Sequence, residues 1–339
     1  MKRFKIGGVP EHFNLPWRLA IEEGKFRELD VELHWSDMTG GTGQMIKGLQ
    51  TGSIDIAVLL TEGITKSILQ GLDAKILTVY VTTPLHWGIH VPYHSDITRV
   101  DQLEGKTFAI SREGSGSHLM AYVKAFQEGW NTDNLKFNVV GDVYGGLWAL
   151  QNDQAQGFLW EKYTTFPFTE QKKCRYIDEV VTPWPCFVIA VRNDVYNSEK
   201  ELLTTISEIA NKKALELKNN MQAAEIISWR YNLRLSQVQN WLIETNWNYQ
   251  NKLEKELIST ISEIVNKKGL ELKNNIQAAE IISWRYNLRL SQVQNWLIET
   301  NWNYQNKLDK EPFQVVINYL LKLNLIEKQE ADNWKKKLF

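Results

Sequence analysis

The feature that most constrains this chain is an alternation of strand-like and helix-like segments that runs to about residue 90 and then starts again. Residues 4–9 read as a short strand, 15–23 have helical spacing with Gly24 as a C-terminal glycine, and 31–35 alternate as a strand. Gly40-Gly41-Thr42-Gly43 then leads into a helix over 44–50, followed by an apolar strand at 54–60, a helix at 64–70 and a strand at 76–81. Strands separated by helices imply a mostly parallel α/β sheet. The second series has a strand at 107–110, a Ser/Gly-rich turn at 111–117 and a helix at 118–127. It continues with a strand at 137–140, a helix at 144–150 and strand ends at 158–160 and 187–191. Leu49-Gln50-Thr51-Gly52-Ser53-Ile54 and Leu150-Gln151-Asn152-Asp153-Gln154-Ala155 echo each other: a helix ends, a tight turn follows, and a buried strand begins. Ligands of open α/β sheets gather at the carboxyl ends of such strands.

From Glu199 onward the pattern changes to helix, and a segment is written twice. Residues 199–253 and 254–308 differ only at Leu203/Ile258, Thr204/Ser259, Ala210/Val265, Ala214/Gly269 and Met221/Ile276. Structural repeats conserve an apolar pattern and let the rest vary. Here polar runs such as Asn246-Trp247-Asn248 and Asn301-Trp302-Asn303 also match. That indicates a recent in-frame duplication, with one copy surplus to the basic fold. Each copy has three short helices and an apolar face that must be buried. The surplus copy can meet that need inside the chain or in a homodimer. Helices at 313–323 and 330–337 close the chain.

Bulk properties exclude some functions. With a formal net charge of −1, no basic field argues for nucleic acid. No apolar run approaches the length needed to cross a bilayer. The first residues run straight into a strand, so the expected setting is cytoplasmic. Cys174 and Cys186 do not make a disulfide framework. Within each copy a helix-turn-helix pattern spans Gln222-Ala223-Ala224-Glu225 and Leu235-Ser236-Gln237-Val238, which allows a ligand-sensing regulator as a rival reading. The nearly cancelling charge of the copies speaks against it.

Three segments resemble the type II periplasmic-binding-protein superfamily, above all its sulfonate, taurine and nitrate binding proteins and the fungal thiamine-pyrimidine synthases. They are Gly52-Ser53-Ile54-Asp55-Ile56-Ala57, Val100-Asp101-Gln102-Leu103-Glu104-Gly105-Lys106, and the turn 111–117. Gly7-Gly8-Val9-Pro10-Glu11-His12, Gly114-Ser115-Gly116-Ser117-His118 and Thr182-Pro183-Trp184-Pro185-Cys186 further resemble a cytosolic subgroup in bacteria and fungi. The resemblance implies a two-lobed α/β fold with an added, duplicated α-helical segment. Lobe one would comprise 1–88, 190–253 with the first copy, and 309–339. Lobe two would be 89–189, and 254–308 the second copy. The chain would cross between lobes near 87–91 and 187–191, and a small molecule would bind between them.

Candidate ligand-binding residues follow the strands. Ser111, Ser115, Gly116 and Ser117, with Gly114, precede a helix whose N-terminus favours electron-rich atoms, although a serine-capped turn has the same residues. Thr42 and Gly43 occupy the like position in lobe one. Glu11 and His12, Glu62, and Glu161 follow strands, where carboxylates suit a ligand with hydrogen-bond donors or are simply solvated. Trp160 and Trp184 offer flat walls, the latter held between two prolines; Trp87 lies nearby, while Trp17 suits core packing. His86, His90 and His94 lie on a strand, too far apart to chelate together, so no metal is expected, even with His118. No cofactor and no catalytic residue is expected, since neither a Gly-x-Ser-x-Gly elbow nor a Walker sequence occurs. The related synthases carry a cysteine-rich run where this chain has only Cys186. The expected function is solute binding without chemistry, with a thiamine-pyrimidine enzyme as runner-up.

Overall fold

The computed structural model describes residues 1–248 and 310–339. Two five-stranded sheets form the frame. The first contains β1 (Lys2–Gly8), β2 (Val31–Asp37), β3 (Ile56–Leu60), β4 (Ala74–Val81) and β10 (Phe187–Arg192), in the order β2-β1-β3-β10-β4. The second contains β5 (His86–Pro92), β6 (Thr107–Ile110), β7 (Lys136–Val139), β8 (Gly157–Glu161) and β9 (Cys174–Val181), in the order β7-β6-β8-β5-β9. In each sheet the fourth strand is antiparallel to both neighbours. The first and second strand pairs are parallel.

The order follows from the residues. β10 is buried at five consecutive positions and β3 at four, as central strands with both faces covered must be. The edge strand β2 is buried only at Val31 and Leu33, and β7 at no position. β3 and β8 hold the same third place in their sheets, which is the geometric content of the echo between 49–54 and 150–155. The turn before each strand reaches left-handed backbone, through Gly52 (φ 71°) in one and Asp153 (φ 55°) in the other.

Helices cover these sheets: α1 (Leu15–Glu22), α2 (Gly41–Thr51) and α3 (Thr61–Leu69) beside the first, α4 (Gly116–Glu128), α5 (Val143–Gln151) and α6 (Lys162–Glu170) beside the second. The strand β9 and the helix α6, which carries Pro167, escape the sequence pattern. The chain passes between sheets at 82–85 and at 182–186, ahead of the expected positions near 87–91 and 187–191. Residues 187–189 therefore pair in the first sheet, and 86–88 in the second. The two passages hold each other. The Thr182 N–H donates to the Leu85 carbonyl at 3.1 Å, and the Cys186 N–H to that of Thr83 at 3.1 Å. The Leu85 N–H donates to the Thr182 hydroxyl at 2.9 Å.

The first copy of the duplicated segment belongs to the first lobe. It lies on α7 (Asn193–Lys218), which leaves helical dihedrals at Glu199, then α8 (Ala223–Tyr231) and α9 (Leu235–Glu244). Leu203, Ile206, Ala210, Ala214 and Leu217 on α7 are buried, facing α1 and β4. Trp241 on α9 is 1% exposed, its ring 4.3 Å from His12 and 5.1 Å from Phe13. Ala223, Ala224, Ile227, Val238 and Trp241 of the helix-turn-helix pattern are thus directed into the lobe, while Trp229 and Ile243 stay exposed. The copy ends on β4: Trp247 bridges Val81, and the Asn248 N–H donates to the Tyr80 carbonyl at 2.8 Å. After the second copy, α10 (Glu311–Lys322), α11 (Lys328–Ala331) and α12 (Trp334–Leu338) return to the first lobe, where Phe313, Val316, Ile317 and Leu320 are buried. The second copy, 254–308, and the self-association expected of it lie outside the described residues. Among those described, no helix is long and apolar enough to cross a membrane.

Candidate functional site

The carboxyl ends of β1, β3, β6 and β8, with the loops that follow them, line a cleft of about 280 Å³ between the two sheets. Glu11 and Thr42 line it from the first lobe. From the second come Ser111, Ser115, Gly116, Ser117, Trp160 and Glu161. These predicted residues are brought together from positions 150 apart in sequence because both sheets point their carboxyl ends at one gap.

Several of these side chains already have work within their own lobe. Ser115 caps α4, its hydroxyl accepting from the His118 N–H at 3.4 Å. The Ser117 hydroxyl accepts from the Ser111 N–H at 3.0 Å and lies 3.0 Å from the Ser115 hydroxyl. The capping reading therefore accounts for much of the serine cluster. Gly116 is needed for packing: a Cβ there would lie 2.5 Å from the Trp87 ring. Glu161 caps α6, its carboxylate accepting from the N–H groups of Tyr163 at 3.1 Å and Thr164 at 2.7 Å, and from the Thr164 hydroxyl at 2.7 Å. Burial raises the Glu161 pKa and these bonds oppose the shift. Glu11 is different. Its side chain has no hydrogen-bond or ion-pair partner among the described residues, and burial, with Glu161 nearby, pushes its pKa up to about 8.

Four predicted residues are placed elsewhere. His12 starts a short 3-10 turn, His12–Asn14, that rotates its ring away from the cleft and in among Phe13, Tyr231 and Trp241. It is 2% exposed, and burial lowers its pKa to about 3, so it is neutral. Trp184 is not an aromatic wall. It is 2% exposed, and its indole N–H donates to Glu62 at 2.9 Å while its ring meets Tyr319 edge-on at 5.6 Å. The prolines that made it look rigidly presented instead hold the second passage, where the Thr61 hydroxyl donates to the Pro185 carbonyl at 2.5 Å. Glu62 is likewise 2% exposed, and burial pushes its pKa up to about 7. Together with Gly43 it borders an adjoining pocket of about 180 Å³ and does not line the cleft. Trp17 is fully buried core.

Gly43 has a steric role that its loop motif did not suggest. A Cβ there would lie 2.2 Å from the guanidinium of Arg112, whose Nη1 donates across the gap to the Gly40 carbonyl at 3.0 Å. Sequence reasoning missed Arg112, although it sits inside the Ser111–Ser117 turn as a lone cation. It is the only Lys or Arg among the described cleft-lining residues, and it shares that lining with Glu11, Asp142 and Glu161. Burial lowers its pKa. Trp87 and Tyr144 complete the aromatic lining. The indole Nε1 of Trp87 is buried with no partner among the described residues.

The histidines considered for metal binding go to separate partners. His86 Nδ1 lies 3.1 Å from Glu179, His90 Nδ1 3.3 Å from the Phe158 carbonyl, and His94 Nε2 3.0 Å from Asp153. His118 Nδ1 accepts from the Gly114 N–H at 2.8 Å. Among the described residues no three His, Cys, Asp or Glu side chains are grouped to hold a metal ion. A broader groove of about 750 Å³ lies at the opposite end of the first sheet, before β3, and its Arg192 is engaged by Asp55 and Asp194.

A family model described as Ca3427-like PBP matches residues 87–180, the second lobe. The conserved Candida albicans CA3427 gene product, described as defining a family with the generic periplasmic binding protein fold, superposes with a TM-score of 0.67 at 25% identity. That match covers 73% of this chain and 82% of the other. The alkanesulfonate-binding protein SsuA of Xanthomonas axonopodis pv. citri, solved bound to MOPS, gives a TM-score of 0.63 at 15% identity, over 78% of this chain and 92% of that one. The periplasmic aliphatic sulphonate binding protein SsuA of Escherichia coli gives 0.59 at 16% identity, over 80% and 94%. No curated protein matches the sequence. Sheet topology, family model and structural neighbours converge: the chain has the two-lobed fold of type II periplasmic-binding proteins, and its matches are those of a type II periplasmic-binding-protein-like family that includes the Ca3427-like proteins.

Proposed function

We propose that this chain is a cytoplasmic solute-binding-type protein that closes its two lobes on one small polar or aromatic molecule and releases it unchanged. The observation that carries this reading is the cleft itself: it is lined from both lobes, at the carboxyl ends of both sheets, and is spanned by Arg112 on Gly40. Glu11, Thr42, Trp87, Arg112, Trp160 and Glu161 are the residues assigned to the ligand. The passages at 82–85 and 182–186 act as the hinge. Binding without turnover is supported by the serine hydroxyls of the lining being tied up within their own lobe: that of Ser117 accepts from the Ser111 N–H, and that of Ser115 caps α4. Cys186, the counterpart sought for the synthase reading, is fully buried, and burial raises its thiol pKa well above the ordinary value. Two free, buried cysteines are in keeping with a reducing compartment. The second copy, 254–308, is assigned as surplus to the two lobes and as a support for self-association. Native mass spectrometry of freshly purified protein tests the central claim. A stoichiometric small molecule, lost on Trp160→Ala, is expected; a covalently altered molecule released on incubation would replace binding by catalysis.

A further inference from the structure

The reading of the cleft as a ligand site leaves its chemistry open, and three features of its lining narrow it. First, the Glu11 carboxyl has no hydrogen-bond or ion-pair partner among the described residues, although it lines the cleft and is partly buried. Second, Trp87 lines the same cleft as a largely buried, flat indole, 5% exposed, with its ring edge against Gly116. Third, the cleft's cation does not neutralise its acids: Arg112 donates to the Gly40 carbonyl. Glu161 and Asp142 are engaged as helix caps, but both carboxylates still line the cleft with Glu11. The unpaired Glu11 carboxyl is a hydrogen-bonding group that a ligand carrying N–H donors can satisfy.

We propose that the ligand is a small planar amidine or amino-heterocycle that donates N–H bonds to Glu11, with Glu161 nearby, and stacks on the aromatic lining. This assignment rests on the cleft-binding reading above. A flat ring suits the Trp87, Trp160 and Tyr144 lining, and a cavity of about 280 Å³ admits only a small one. A purely anionic ligand would share the cleft with Glu161, Asp142 and the Glu11 carboxyl, against one arginine that already donates to Gly40. The same geometry couples binding to protons. Glu161 from the start of α6, Asp142 from the start of α5 and Arg112 from the loop before α4 share the cleft with Glu11, and His86 on β5 interacts with Glu161. Burial and Glu161 together keep Glu11 protonated up to about pH 8. A cation seated there displaces that proton.

Isothermal titration calorimetry of the full chain tests this with benzamidine and 4-aminopyrimidine against benzoate and benzenesulfonate. Benzamidine stays cationic across the range used, so its affinity is expected to rise roughly tenfold or more from pH 6 to pH 8.5, with proton release read from two buffers of different ionisation enthalpy. Glu11→Gln should weaken benzamidine about tenfold at pH 8.5 and flatten the pH profile. The wild-type pH profile stands as evidence even if that variant folds poorly. Tighter binding of benzenesulfonate or benzoate than of benzamidine overturns the proposal and leaves the cleft reading intact. Benzamidine binding with no pH dependence, or equally well to Glu11→Gln, also overturns it. Silence from all four probes, with no co-purifying molecule, overturns both readings.

Discussion

Replacing Glu62 by glutamine should change the pH dependence of stability more than stability itself. The Glu62 carboxyl is 2% exposed; one oxygen accepts from the Trp184 indole at 2.9 Å, and Oε1 has no partner among the described residues. Burial raises its pKa from 4.5 to about 7, opposed by its hydrogen bonds. In the unfolded chain the group ionises near 4.5, so between there and pH 7 the folded protein holds the extra proton. Stability therefore falls as pH rises through that window and levels off above it. At about 1.4 kcal/mol per pKa unit, the wild type loses about 3 kcal/mol from this group by pH 8. Glutamine keeps an oxygen for the indole and cannot ionise, but its amide N–H groups are left without acceptors, which costs about 1–3 kcal/mol. The variant should thus be less stable than the wild type at pH 5 by about 1 kcal/mol, and more stable at pH 8 by about 2 kcal/mol. Scanning calorimetry at the two pH values reads this as a change of sign in the Tm difference. Parallel pH profiles for the two proteins would refute the reading of Glu62 as a buried acid that titrates with folding.

Trp241→Ala removes a side chain 1% exposed that packs on His12 and Phe13. It should cost about 3–5 kcal/mol in urea unfolding, and a cost under about 1 kcal/mol would contradict the docking of the first copy on the lobe. Deleting 254–308 joins Leu253 to Asp309, with Asp309-Lys310-Glu311 following in place of the near-equivalent Glu254-Lys255-Glu256. The product should fold, keep cleft binding and show a lower oligomeric state by light scattering. An unfolded product would mean that the second copy is part of the core.

Much of the fold was legible because it depends on local period. The continuous apolar runs of β3 and β10 mark buried central strands, and the mixed patterns of β2 and β7 mark edges, wherever those strands sit in the chain. The strand β9 was harder to read, since most of its positions are only partly buried and no face of it is consistently apolar. The helix α6 hid behind Pro167.

The sequence by itself determined two α/β series, the turns that end their helices, the strand ends where a ligand would sit, and the duplication. Only the tertiary structure decided what each side chain beyond a strand faces. Glu11 and His12 are neighbours, yet a single turn leaves one in the cleft and buries the other against Trp241, which is contributed by the first copy. Trp184 looks like a binding wall between its prolines, but Glu62, 122 residues earlier, accepts its indole N–H in the interior. Gly43 and Gly116 read as ligand-approach glycines, and their lack of a Cβ instead makes room for Arg112 and Trp87. Periodicity along the chain encodes which face of an element is buried, because burial repeats with each turn or pleat. It carries no record of the partner across the interface, because that partner is fixed by the packing of segments distant in sequence.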